Sequence, residues 1–384
     1  MSVLEPVTRG YAGLFPALCD LFCPRMITAP RLLMVSLLLC GLSCAYAGDD
    51  SADRGSLNKG ELTNYQESTY RIQAGLDGEI YPVFANYASL QKQDERSFGV
   101  VSVTVSNPGR AALHQRIAVK IAGWSDQEIQ IADVVAGSTR TFIFAPAFLP
   151  RFYENHEIMA ATVQISVTDL AGHSLYETTA PVRLRSAEDM YWGSDFKYAP
   201  FIASWVTPHD VKVEAVLAQA KKYTADHRLP GYESWKGAGQ QEQETWREAE
   251  AIYTAVKRMG MSYVKSSATL GDHQSVSERV RMPGSSLSRS SANCIDAAVM
   301  YASLFENLGM DSSVVLVPGH AYVGVKVAAG SSKMLLIDVA LTGRSTFEQA
   351  VASAEAGVAK LRPGAITRIA VSQARSVGIY PMPQ

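Results

Sequence analysis

Apolar and polar residues alternate through the first half of the chain. In "FGVVSVTVSNPG" valines occupy every second position from Val101 to Val105, and the run ends in an Asn-Pro-Gly turn signal. "QRIAVKIAGW", "QEIQIADVV", "TRTFIFAPAF", "MAATVQISVTD" and "TAPVRLR" follow at even spacing, with Gly, Pro, Asn and Asp between them. A period of two, rich in Val, Ile, Thr and Phe, predicts half-buried strands. Their regular succession predicts an antiparallel β-sandwich of immunoglobulin-like type over 78–185. The stretch 48–77 reads as a polar lead-in, and the aromatic-rich 186–206 reads as a linker.

The period then changes. "TPHDVKVEAVLAQAKKYT" carries apolar residues at helical spacing behind a Thr207 cap signal and an early proline. "QQEQETWREAEAIYTAVKRMG" is a second amphipathic helix, stopped by Gly260. A long polar stretch follows over 262–291; its Ser-rich end, "GSSLSRSS", reads as a flexible rim that admits substrate. "NCIDAAVMYASLFENLGM" predicts a helix with Ala298, Tyr301, Leu304, Phe305 and Leu308 on one face. "SVVLVPG", "HAYVGVKV" and "KMLLIDVAL" predict three strands, "TFEQAVASAEAGVAKL" a helix and "AITRIAVSQAR" a last strand. Helices first and strands later make 207–384 an α+β domain.

The N-terminus alters the meaning of the cysteines. Arg25 and Arg31 flank Met26, and "LLMVSLLLCGLSCAYA" precedes polar "GDDSADRGS". A basic flank, a short apolar run and Ala45-Tyr46-Ala47 predict a secretory signal peptide over 1–47, cleaved after Ala47, with translation starting at Met26. The apolar run falls short of the roughly 20 residues of a membrane span. "GLSC" lacks the leucine usual in a lipidation signal, which argues against a lipoprotein at Cys44. The expected location is the periplasm or the exterior. Cleavage removes Cys19, Cys23, Cys40 and Cys44, so of the 5 cysteines only Cys294 remains. A single thiol in an exported protein forms no internal disulfide, and is a reactive group, an intermolecular link or a small core residue.

Composition excludes several classes. A net charge of −2 and the lack of a basic run argue against a nucleic-acid partner. No Cys-x-x-Cys or His-Glu-x-x-His pattern in the mature chain suggests a metal, and no phosphate loop or other motif suggests a cofactor. No integral membrane domain is expected.

Cys294 opens a helix behind Asn293 and a run of serines, which are cap residues. Free backbone N–H groups and the helix dipole favour a thiolate there. Of 7 histidines only His320 follows Cys294, in a Pro-Gly turn leading into a strand. Asp338 interrupts the apolar strand "MLLIDVAL"; a carboxylate among Leu, Ile and Val needs a partner, and His320 would serve. Nucleophile, base and orienting carboxylate therefore fall on helix start, strand start and next strand.

These segments resemble the transglutaminase-like superfamily, in which a cysteine opens a helix and histidine and aspartate follow on successive strands. The resemblance implies a papain-like fold in which Cys294 is the nucleophile, His320 the general base and acid, and Asp338 the orienting carboxylate. It implies acyl transfer from a peptide or protein amide through a thioester, with hydrolysis favoured over amine transfer because it needs no second substrate site. The chain differs from the family pattern at Ala292, where glycine is usual, at Tyr322, where tryptophan is, and in the Val339-Ala340 pair after the aspartate. Those differences motivate the alternative of a non-catalytic cell-envelope scaffold, in which the sandwich holds a protein partner. An oxyanion hole would draw on the Cys294 backbone N–H; Gln274, in the upstream loop where papain-like enzymes place a glutamine, is a candidate second donor and Tyr263 a further one.

Overall fold

The computed structural model describes residues 56–62, 68–92, 96, 98–233, 238–265, 277–362 and 364–383. The stretch 1–47, read from the sequence as a signal peptide, and the candidate Gln274 lie outside the described residues. The chain is α+β. Its first half runs β1 (Ser56–Leu62), β2 (Ser68–Ala74), β3 (Glu79–Ile80), α1 (Pro82–Ser89), β4 (Val101–Ser106), β5 (Leu113–Ile121), β6 (Glu128–Val134), β7 (Thr139–Phe144), α2 (Pro150–Tyr153), β8 (Met159–Asp169) and β9 (Ser174–Leu184).

These strands form two sheets, one ordered β1-β2-β4-β7 and one β3-β9-β8-β5-β6, antiparallel except for the parallel β3–β9 pair. Alternation decides which side chains turn inward. Val101, Val103 and Val105 of β4 are buried while Ser102, Thr104 and Ser106 between them are not. The two sheets meet across this core. The Tyr70 hydroxyl of β2 donates to Gln115 Oε1 of β5 at 2.8 Å, and the Tyr70 ring stacks on Tyr176 of β9 at 4.9 Å. Both polar atoms lie in the core, so each satisfies the other where water cannot.

The second half runs β10 (Asp189–Tyr191), α3 (Val211–Ala220), α4 (Ala238–Arg258), β11 (Ser262–Tyr263), β12 (Ser277–Arg279), α5 (Pro283–Ser288), β13 (Ser291–Ala292), α6 (Cys294–Asn307), β14 (Ser312–Val317), β15 (His320–Lys326), β16 (Met334–Ile337), α7 (Phe347–Ala359), β17 (Thr367–Ala370) and α8 (Val371–Ser376). Its main sheet is ordered β16-β15-β14-β17, every pair antiparallel. Helix α6 lies at the centre, with every residue from Ile295 to Phe305 buried. Val314, Val323 and Ile337 join the core around α6, whereas Val315 and Tyr322 pack with Ala354 and Val358 of α7. No helix among the described residues is long and apolar enough to cross a membrane.

Several elements differ from the sequence reading. Strands β1 and β2 lie in the stretch read as polar lead-in; in β2, Tyr70, Ile72 and Ala74 alternate inward, a signal diluted by the polar residues between them. Helix α1 falls among the strands, with Pro82 at its start and Val83 and Phe84 buried. The cap of α3 is Asp210, whose side chain accepts from the Lys212 N–H at 2.7 Å, rather than Thr207. The Ser-rich rim is helix α5, begun by Pro283 and held by buried Leu287. Only Thr367–Ala370 of the last predicted strand is extended; Val371 onward is α8, with Val371 and Ala374 buried on one helical face.

The predicted linker is part of the core. A 3-10 helix, Ala199–Trp205, buries Phe201, Ile202 and Trp205. Phe201 meets Phe84 and Tyr87 of α1 edge-on at 4.9 and 5.1 Å. Its other side is tied to the C-terminal elements by Arg375, which donates to the carbonyls of Ala203 and Val206.

Candidate active site

Helix α6 delivers Cys294. Asn293 is its cap: the side chain accepts from the Asp296 N–H at 2.7 Å, and Asp296 Oδ2 accepts from the Asn293 N–H at 3.3 Å. This reciprocal pair is a capping box built on Asn and Asp. Asp296 also accepts from the Arg281 backbone N–H at 2.8 Å and lies 3.4 Å from Arg281 Nε. It is fully buried, so removing these partners would strand a charge in the interior. The role of Asp296 shows only when Arg281 folds back over the helix start. Cys294 then occupies the first helical position, whose N–H the helix itself leaves free. Its thiol is free and partly exposed.

His320 opens β15 opposite Val317 of β14. The Pro318-Gly319 turn between these strands needs a left-handed residue, and Gly319 supplies it with φ 73°. Asp338 follows the last residue of β16 and opens a 3-10 turn, Val339–Leu341, so it stands at the strand's end rather than inside it. There His320 Nε2 and Asp338 Oδ1 are 3.0 Å apart. An ionised carboxylate only accepts, so Nε2 carries the proton and Nδ1 of the neutral ring offers its lone pair. The other carboxylate oxygen, Oδ2, accepts from the Ser353 hydroxyl of α7 at 2.9 Å. Tyr322 sets its ring edge-on to the imidazole at 4.7 Å.

The His320 imidazole is pushed up to about 9, first by its hydrogen bond with Asp338 and next by its hydrogen bond with Cys294, against the opposing effect of burial. His320 and Asp338, singled out from different segments, are hydrogen-bonded, and Cys294 is near enough to His320 to raise its titration. Ser353 was not foreseen; a serine in an alanine-rich helix carries no chemical signal, and only the packing of α7 on β16 brings it to Asp338.

Tyr263 is brought to the same place. Strand β11 pairs in parallel with β13, so Tyr263 stands opposite Ala292, and the Val264 N–H donates to the Ala292 carbonyl at 3.0 Å. The exposed phenol is raised above its ordinary value by desolvation first, and then by the charges of Cys294, Glu278, Asp296 and Asp338. Glu278 arrives through β12, which pairs with β10 and sets Glu278 opposite Met190. Its carboxyl is pushed up to about 6 by burial and then by Asp296, with the Trp192 side chain hydrogen-bonded to it as an opposing influence. Neither β11 nor β12 has a sequence signature, since each is held by a neighbour distant in the chain. A comparison with family models finds no match for this chain, and a search of curated proteins finds none either.

Proposed function

We propose that the chain is an exported, cysteine-dependent acyl-transfer enzyme of transglutaminase-like kind, with an immunoglobulin-like sandwich ahead of a papain-like domain. The observation that carries the reading is the His320 imidazole, 3.0 Å from Asp338 Oδ1 and raised in its titration by both Asp338 and Cys294. Sulfur attacks the carbonyl carbon of a peptide or side-chain amide. A C–S bond forms, and the carbonyl electron pair moves onto oxygen, facing the Cys294 N–H with Tyr263 alongside. Collapse of this oxyanion breaks the C–N bond, and the departing amine takes the proton held on His320 Nδ1. Water then attacks the thioester, His320 removes its proton, and the acid and free thiol are released. An amine in place of water would give a cross-link; hydrolysis is favoured because it needs no second substrate site.

Iodoacetamide alkylation followed by peptide mass spectrometry tests the reading. Cys294 should react faster than free cysteine near neutral pH, and His320→Ala should remove that excess. A wild-type rate no faster than that of free cysteine would overturn it. A second reading, a non-catalytic cell-envelope scaffold, draws on Ala292 standing where the family has glycine. Cys294→Ala separates the two, because a scaffold keeps its cellular role without the thiol.

A further inference from the structure

Asp338 is held from two sides, and the side away from His320 belongs to α7. The residue opens the 3-10 turn Val339–Leu341, a position where an aspartate ordinarily caps free N–H groups. Here its side chain makes no cap bond. Both oxygens go instead to groups distant in the chain, Oδ1 to His320 Nε2 at 3.0 Å and Oδ2 to the Ser353 hydroxyl at 2.9 Å. The same helix grips the Asp338 backbone, whose N–H donates to the Ala350 carbonyl at 3.0 Å. Ala350 and Ser353 stand at i and i+3, so they share one face of α7. One turn on, Gly357 lets the Tyr322 hydroxyl come close, and the Tyr322 ring stands edge-on to the imidazole at 4.7 Å. Helix α7 thus backs both members of the His320–Asp338 pair.

A serine has one hydroxyl proton, and inside a helix it ordinarily gives it to the carbonyl four residues back. Ser353 gives it to Asp338. Asp338 is only 6 % exposed, so a carboxylate oxygen left there without a donor is poorly solvated, and the carboxyl turns toward water. Turning about the Cβ–Cγ bond would take Oδ1 off the line to Nε2. Resting on the acyl-transfer reading of Cys294, we infer that Ser353 is a positioning residue for that reaction: its bond to Oδ2 fixes the plane of the Asp338 carboxylate, and with it the direction in which Oδ1 meets His320. A neutral donor suits this place. A lysine or arginine there would compete with the imidazolium for the same carboxylate.

The test is a double-mutant cycle read by the His320 titration, followed by NMR of labelled histidine in the full chain. Ser353→Ala should lower the midpoint from about 9 to about 8, the change expected when a hydrogen bond to a charged group is weakened but not lost. Ser353→Thr, which keeps the hydroxyl, should stay near 9. In an Asp338→Asn background there is no carboxylate to orient, and Ser353→Ala should move the midpoint by no more than about 0.3 of a pH unit. Alanine is the better helix former, so a serine present merely as part of α7 would be replaced without loss, and Tm reports that the helix is intact. Cys294, Tyr253, Tyr263 and Tyr322, the other titratable groups felt at this pair, keep their identity in every variant. A midpoint that stays near 9 in Ser353→Ala, or one that falls equally with and without the Asp338 carboxylate, would overturn the inference. The acyl-transfer reading fails differently, by slow alkylation of Cys294 in wild type, and the His320 midpoint still reads what Ser353 does in that event.

Discussion

His320 is the residue on which the site turns. Its titration is raised to about 9, first by the hydrogen bond to Asp338 and then by Cys294. Asp338→Asn should therefore lower the His320 titration, followed by NMR of labelled histidine, from near 9 toward the ordinary value of about 6.5. An unchanged midpoint would mean that Asp338 does not orient the ring. The same shift has a stability consequence. A group whose folded value is raised contributes stability that is complete below its unfolded value and is lost as pH rises through the folded one. The difference in Tm between wild type and His320→Gln should thus be largest below about pH 6.5 and shrink as pH approaches 9. A difference that grows with pH would contradict this assignment of charge.

At the scale of elements, two contacts fix where the site groups stand. The first is the start of α6. Asp296→Ala removes the acceptor for two backbone N–H groups and leaves Arg281 without its carboxylate. The expected loss is on the order of 3 kcal/mol in chemical denaturation, with Cys294 alkylation slowed in the fraction that stays folded. Asn293→Ala, which loses one cap bond, should cost about 1 kcal/mol. The second contact is between α7 and β15. A methyl added at Gly357 would collide with the buried Tyr322 hydroxyl. Helix propensity alone predicts that Gly357→Ala stabilises by up to about 1 kcal/mol. The collision should win, making the variant less stable by roughly 1–3 kcal/mol, and adding Tyr322→Phe should recover most of the loss. A stabilised single variant would show that Tyr322 yields without cost.

At the scale of the whole molecule, both halves share one core that extends from Tyr70 to Met382. The junction holds charge as well as aromatic rings. Arg185 is fully buried, 2.9 Å from Asp189 and 3.6 Å from Glu79, and both acids are buried too. Arg185→Leu would leave two interior carboxylates without that guanidinium. The cost should be about 3–5 kcal/mol, and calorimetry should show one transition in wild type and two in the variant. One unsplit transition at the original Tm would show that the junction ions are not what couples the halves.

The strands of the first half were legible because each buries one face, which forces a period of two on the sequence. Helix α6 was legible for a related reason, although it proved buried on nearly all sides rather than along one stripe. Elements whose stability comes from distant partners were not. Strands β11 and β12 are 2 and 3 residues long, too short for any period, and each exists because β13 or β10 lies beside it. The segment 186–206 looked like a linker because aromatic residues without periodicity resemble neither helix nor strand. Burial against α1 is what orders it.

The sequence by itself determined the chemistry at hand: a thiol at a helix start, a histidine at a strand start and a carboxylate that needed a partner. Local rules suffice for these, since caps, turns and the cost of an unpaired charge act over a few residues. Only the tertiary structure decided which oxygen of Asp338 meets His320, that Ser353 takes the other, that Tyr263 pairs opposite Ala292 and that Arg281, just after β12, reaches Asp296. Those relations join residues far apart in the chain. They depend on the packing of α7, β11 and β12, which no local pattern encodes.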